Sequence, residues 1–187
     1  MTTGRAMLRF FRRSETGAAA AEFALIIAAI TPPLPSIVDL GIYAYRRTQV
    51  EMAAEAAVQS IRGACTPEQS PVTRNCATGL LSRITTAAQS TSLGTNVTVA
   101  SGSPVEGYYC LDASGQLQLV GTAGTISAPL ANVPSSLDCN AYGRANSAPG
   151  DYVQVTVNYT NSPLFPGASV VSLLPATVTR TGWYRVK

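Results

Sequence analysis

The residues of this chain that could do specific chemistry are two acids set in or beside an apolar run and four cysteines. Glu22 lies five positions after Gly17, inside the run, and Asp39 lies near its far end. A carboxylate at the middle of a bilayer costs about 2.5–3.5 kcal/mol on insertion scales, and less near the interface. Each acid is therefore expected close to a hydrated face. Arg46, seven residues beyond Asp39, brings a positive side chain within reach of the second acid. The chain has no histidine, which removes the commonest general base and the commonest non-thiol zinc ligand. Ser-His and Cys-His machinery and most zinc hydrolases are excluded with it. No nucleophile sits in a recognisable motif, so no catalytic residue, metal ligand or cofactor is assigned.

Cys65, Cys76, Cys110 and Cys139 all follow the apolar run. If the N-terminal end stays in the cytoplasm, they lie in an oxidising compartment, where disulfides persist. Four cysteines allow three pairings. The pairing expected is Cys65–Cys76, which ties the end of one helix to the next, and Cys110–Cys139, which pins an irregular segment to a strand. Each closed loop stabilises by about 2–4 kcal/mol. Zinc fits poorly, because a Cys-rich site uses closely spaced pairs that this sequence lacks.

These residues must be positioned by an anchor and a domain. Residues 1–17 form a leader carrying Arg5, Arg9, Arg12 and Arg13 against one acid, Glu15. Positive charge of this kind holds an end in the cytoplasm. The formal charge of +3 resides in that leader, which leaves nine basic and nine acidic residues in 18–187. Without a basic stripe, nucleic acid is not an expected partner. Residues 18–38 span about 31 Å as a helix at ~1.5 Å per residue, enough for a ~30 Å hydrocarbon core. A cleaved secretory signal is the rival reading, but no A-x-A site leads into polar sequence and apolar residues resume at 37–45. Pro32, Pro33 and Pro35 deprive the carbonyls of Ala28, Ala29 and Thr31 of helical partners, which predicts a kink or short melted segment.

From Asp39 the helix is expected to resume. Val50, Ala53, Ala54, Ala57, Val58 and Ile61 fall on one helical face, and Gly63 with Pro67 supplies the stop. This stem needs a cover, from its own domain or from a neighbouring copy, with its own domain the expected one. Residues 77–90 read as a second helix. Beyond Gly94 the period becomes two, over 96–100, 106–111, 116–120, 151–159 and 177–186. Residues 121–150 form a long, weakly patterned connection. The expected fold is α+β: a long N-terminal membrane and stem helix with a proline break, packed against a small antiparallel sheet with disulfides. The organisation is a cytoplasmic leader (1–17), a transmembrane segment (18–45), an amphipathic stem (46–62) and a periplasmic α+β domain (63–187). Residues 162–175 are apolar and proline-rich. They are expected as a short helix on the core, with a dip towards the bilayer surface as the alternative.

The run Gly-Ala-Ala-Ala-Ala-Glu-Phe-Ala-Leu at 17–25, after an Arg-rich leader, resembles the start of TadE-like proteins, the pseudopilins of the tight adherence (Tad/Flp) pilus machinery. The likeness continues through Asp39-Leu-Gly-Ile-Tyr and the Ala-rich helix that follows, and is weaker in the C-terminal strands. Two departures stand out: the three prolines in the anchor, and Ala18 where many type IV pilins have Phe. The resemblance implies cleavage between Gly17 and Ala18 by a prepilin peptidase, with the side-chain-free glycine admitting the backbone to its site. Glu22 then becomes the fifth residue, and its carboxylate would pair with the α-amine of a neighbouring subunit's Ala18. Breaking such a pair in apolar surroundings costs about 3–5 kcal/mol. The partners implied are the peptidase, other pilins and pseudopilins, the inner-membrane platform and the bilayer. The location implied is a single inner-membrane pass with the domain periplasmic, or extracellular within an adhesive pilus. The alternative from the residues alone is a permanently anchored periplasmic binding or scaffold domain that uses Tyr108, Tyr109, Tyr142 or Trp183.

Overall fold

A computed structural model describes residues 15–187 other than Ser135 and Ala145. The leader arginines at 5, 9, 12 and 13 lie outside the described residues. Two helices open the chain, α1 (Glu15–Ile30) and α2 (Pro33–Ala64). The break between them is two residues long, at Thr31 and Pro32. Thr31 closes α1 by donating both its N–H and its hydroxyl to the carbonyl of Ile27. The helix restarts at Pro33 rather than near Asp39. The physical reason is that Pro33 and Pro35 fall in the first turn of α2, where backbone N–H groups have no intrahelical acceptor, so their absence costs nothing. The 48-residue stretch Gly17–Ala64 contains a window long and apolar enough to cross a membrane, and it is almost entirely exposed.

The chain divides into two compact units: residues up to Tyr43 together with Ser162–Leu174, and Ala44–Asn161 together with Pro175–Lys187. In the second unit, α3 (Val72–Asn75) and α4 (Leu80–Ala88) follow α2. The sheet comprises β1 (Val97–Val99), β2 (Val105–Leu111), β3 (Leu117–Leu119), β4 (Gly124–Thr125), β5 (Gly150–Thr160) and β6 (Thr177–Arg185). All pairings are antiparallel. The long strand β5 is the spine. One edge pairs with β6 over its full length, and the other pairs with β2 near its start and β1 near its end. The five strands expected from alternation are present, and the two-residue β4 is an addition that no period could reveal.

The stem face is covered within its own unit. Val50, Ala53, Ala54, Ala57, Val58 and Ile61 are buried. Val153, Val155 and Val157, alternate residues of β5, are buried too. Strand β6 approaches the stem so closely that a Cβ on Gly182 would sit 2.6 Å from the Ala54 carbonyl oxygen and 3.1 Å from Val58 Cγ1. Only a glycine admits that contact without a shift. On the sheet's other face Tyr109 stacks edge-on against Trp183 and Tyr152, at 5.4 and 5.8 Å between ring centres.

Both disulfides join the expected partners, Cys65 with Cys76 and Cys110 with Cys139, at Cα separations of 5.9 and 5.6 Å. No free cysteine is found among the described residues. The 162–175 segment departs from its first expectation. It forms a turn of 3₁₀ helix, Val170–Leu173, and belongs to the unit of the N-terminal helix rather than to the sheet core. The cause is polar: the buried Asp39 carboxylate accepts the Leu164 and Phe165 N–H groups at 2.9 and 3.2 Å.

Candidate functional site

Gly17, Ala18 and Glu22 lie on α1, all exposed. A helix places residues four apart on one face, so Ala18 and Glu22 share a side of α1. A Cβ built on Gly17 meets nothing within 4 Å. Gly17 and the Glu22 side chain are both exposed. Of Pro32, Pro33 and Pro35, Pro32 lies in the two-residue break and the other two in the first turn of α2, and the exposed surface continues past them. The four cysteines lie in the second unit.

A second polar constellation, which the sequence reading missed, is built into the sheet. The pairing of β2 with β5 sets Glu106 opposite Val153 and Tyr108 opposite Asp151. All four side chains therefore share one face, with the two acids diagonal neighbours on it. Glu106 is fully buried and accepts hydrogen bonds from Val72 N–H at 2.6 Å, Thr73 N–H at 2.8 Å and the Thr73 hydroxyl. It thereby satisfies the first N–H groups of α3, which its own turn cannot. Asp151, 3% exposed, accepts from the Ser70 hydroxyl through Oδ2. Its Oδ1 has no N–H or O–H donor among the described residues.

Asp151 and Glu106 are near enough on this buried face for the Glu106 charge to act on Asp151. Burial, followed by the Glu106 charge and opposed by the Ser70 hydroxyl, pushes Asp151 up to about 7. A proton on Asp151 removes the repulsion between two buried negative charges. Tyr108 donates its hydroxyl to the Ala131 carbonyl at 3.0 Å. Burial, reinforced by the Asp151 and Glu106 charges, raises it to about 12. A cleft of about 470 Å³ adjoins Asp151, lined by Glu68, Ser70, Tyr108, Asp151, Arg185 and Lys187 among others. Among the described residues no group of three or more acids, cysteines or histidines is placed to hold a metal ion.

The signal that could have found this pair is a phase argument. Glu106 falls in step with Tyr108 and Cys110, and Asp151 in step with Val153, Val155 and Val157. An acid on the inward phase of a half-buried strand must be paired or protonated. Of the aromatic candidates, Tyr108 and Tyr109 are buried, and Tyr108 also lines the cleft. Tyr142 is half-buried and follows Cys139 in a 3₁₀ turn, Asn140–Tyr142. Compared with protein-family models, with curated proteins and with solved structures, the chain matches none.

Proposed function

We propose that the chain is a TadE-like pseudopilin, a minor pilin that takes part in assembling a Tad/Flp-type pilus after a prepilin peptidase removes residues 1–17. The observation that carries this reading is the Gly17/Glu22 spacing at the exposed head of an apolar helix that follows an Arg-rich leader. Cleavage exposes the Ala18 amine and removes the arginines that hold this end in the cytoplasm. In a bilayer the Glu22 carboxylate of one subunit and the Ala18 amine of the next are each costly alone and much less so together. That difference drives subunit association. A helix interrupted at Thr31-Pro32 supports the reading too, since a subunit drawn from a bilayer into a fibre must let its anchor repack. The β-rich unit is cargo held by two disulfides, and the reading gives it no catalytic role.

Glu22→Ala separates cleavage from assembly. The variant is expected to be processed as the parent is, but not to co-purify with pilus components. Normal piliation in that variant would refute the pairing role. The second reading, a permanently anchored binding domain, is favoured by one observation, the cleft beside Asp151. It predicts that residues 1–17 are retained.

A further inference from the structure

We infer that Ser162–Leu174 is a second membrane contact, an apolar loop strapped to the anchor helix and seated in the lipid at the outer interface. The inference rests on the membrane-anchored reading of the N-terminal helix and is independent of any role in pili. Within this unit the loop carries no charged residue. It presents large apolar side chains outward: Leu164 is 60% exposed and Leu173 84%, with Phe165 and Val170 also exposed. In water such a cluster is costly, each fully hidden side chain of this size being worth about 1.5–3 kcal/mol.

Loops enter hydrocarbon only when their backbone groups are satisfied, and here most donors are. Leu164 and Phe165 give their N–H groups to Asp39, Val170 to the Ser36 hydroxyl at 3.3 Å, and Val171 to Ser169 Oγ at 3.2 Å. Ala168 and Leu174 donate to carbonyls of the loop itself. Pro163 and Pro166 have no N–H to satisfy. The depth is consistent as well. Ser36 and Asp39 follow Ala18 by 18 and 21 residues, roughly 27–32 Å of helix, the thickness of a hydrocarbon core. The same unit exposes Ile27, Ile30, Leu34, Ile37 and Val38 on its helix. The loop thus continues an apolar surface that a bilayer already has to cover, and this continuity selects lipid as its occupant. It also gives the buried Asp39 a role: the acid holds the loop by two backbone N–H groups.

The four native cysteines are all in disulfides, so a single introduced cysteine takes a nitroxide label selectively. Full-length Leu173→Cys, labelled and reconstituted in phosphatidylcholine/phosphatidylglycerol vesicles, is examined by power-saturation EPR with oxygen and a water-soluble nickel chelate. Ile27→Cys in the anchor and Leu119→Cys on β3 are the membrane and water references. The label at 173 is expected to lie between the two references, with fewer nickel and more oxygen collisions than the label at 119. A label at 173 that behaves like the one at 119, while 27 remains in lipid, overturns the inference and leaves the anchor standing. Protection from both relaxers would mean that a protein neighbour covers the loop, which also overturns it. Free nickel access at 27 would remove the anchored reading on which the inference rests.

Discussion

Asp151→Asn tests the buried acid pair most sharply. In the folded chain burial raises Asp151 from an ordinary 3.8 to about 7, so the native state holds a proton that the unfolded chain releases. A raised folded value contributes stability that is fully present below about pH 4 and is lost as the pH rises through about 7. The gap is roughly three decades in proton affinity, and at ~1.36 kcal/mol per decade the loss reaches at most about 4 kcal/mol by pH 8. The chain has no histidine. Glu68 and Asp112 are held below the usual carboxylate range, the first chiefly by a hydrogen bond with the Thr66 side chain and the second chiefly by the Gln116 N–H, so they act at lower pH. Tyr108 titrates only near 12. The assay is urea unfolding of the detergent-solubilised, disulfide-intact protein at pH 4 to 8, followed by Trp183 fluorescence. The wild type should weaken steadily from pH 4 to 8. The Asn variant cannot ionise and carries an amide donor for Glu106, so its stability should be flat and should exceed the wild type's at pH 8. A wild-type profile that is flat or rises over this range would show that the pair shares no proton.

Gly182→Ala drives a Cβ to 2.6 Å from the Ala54 carbonyl oxygen, and a backbone atom cannot step aside as a side-chain tip can. A loss of about 1–3 kcal/mol is expected in the same urea assay, and an unchanged midpoint would show that β6 does not press on the stem. The disulfides should differ in worth. Loop-closure entropy assigns about 4 kcal/mol to Cys110–Cys139, whose partners are 29 residues apart, and about 3 kcal/mol to Cys65–Cys76, 11 apart. Replacing each pair by serines and comparing unfolding midpoints measures the order, and equal losses would mean that strain or residual unfolded structure outweighs loop length.

How much of this was legible beforehand depended on whether a feature is local. The stem face at 50–61 repeats at helical spacing, and every residue predicted to face inward is buried. The strands at 151–159 and 177–186 alternate, and β5 and β6 lie there within a residue. The expected break is present at Thr31-Pro32, but it is shorter than expected because Pro33 and Pro35 sit in the first turn of α2, where neither a missing N–H nor a ring clash with a preceding turn matters. The carboxylates show the limit. Asp39 finds its partners 125 and 126 residues away, and no local pattern marks such a closure. Glu106 and Asp151 are acids on the inward phase of their strands, but their adjacency follows from the β2–β5 register, which a single sequence does not set.

The central claim, that an acid near the head of the anchor awaits the new amino end of a neighbour, is tested most directly by the N-terminus of the protein isolated from membranes of fibre-forming cells. Intact-mass and terminal-peptide measurements should find a chain beginning at Ala18. A chain that still carries Gly17 and the arginines before it, in cells with complete fibres, would contradict the account.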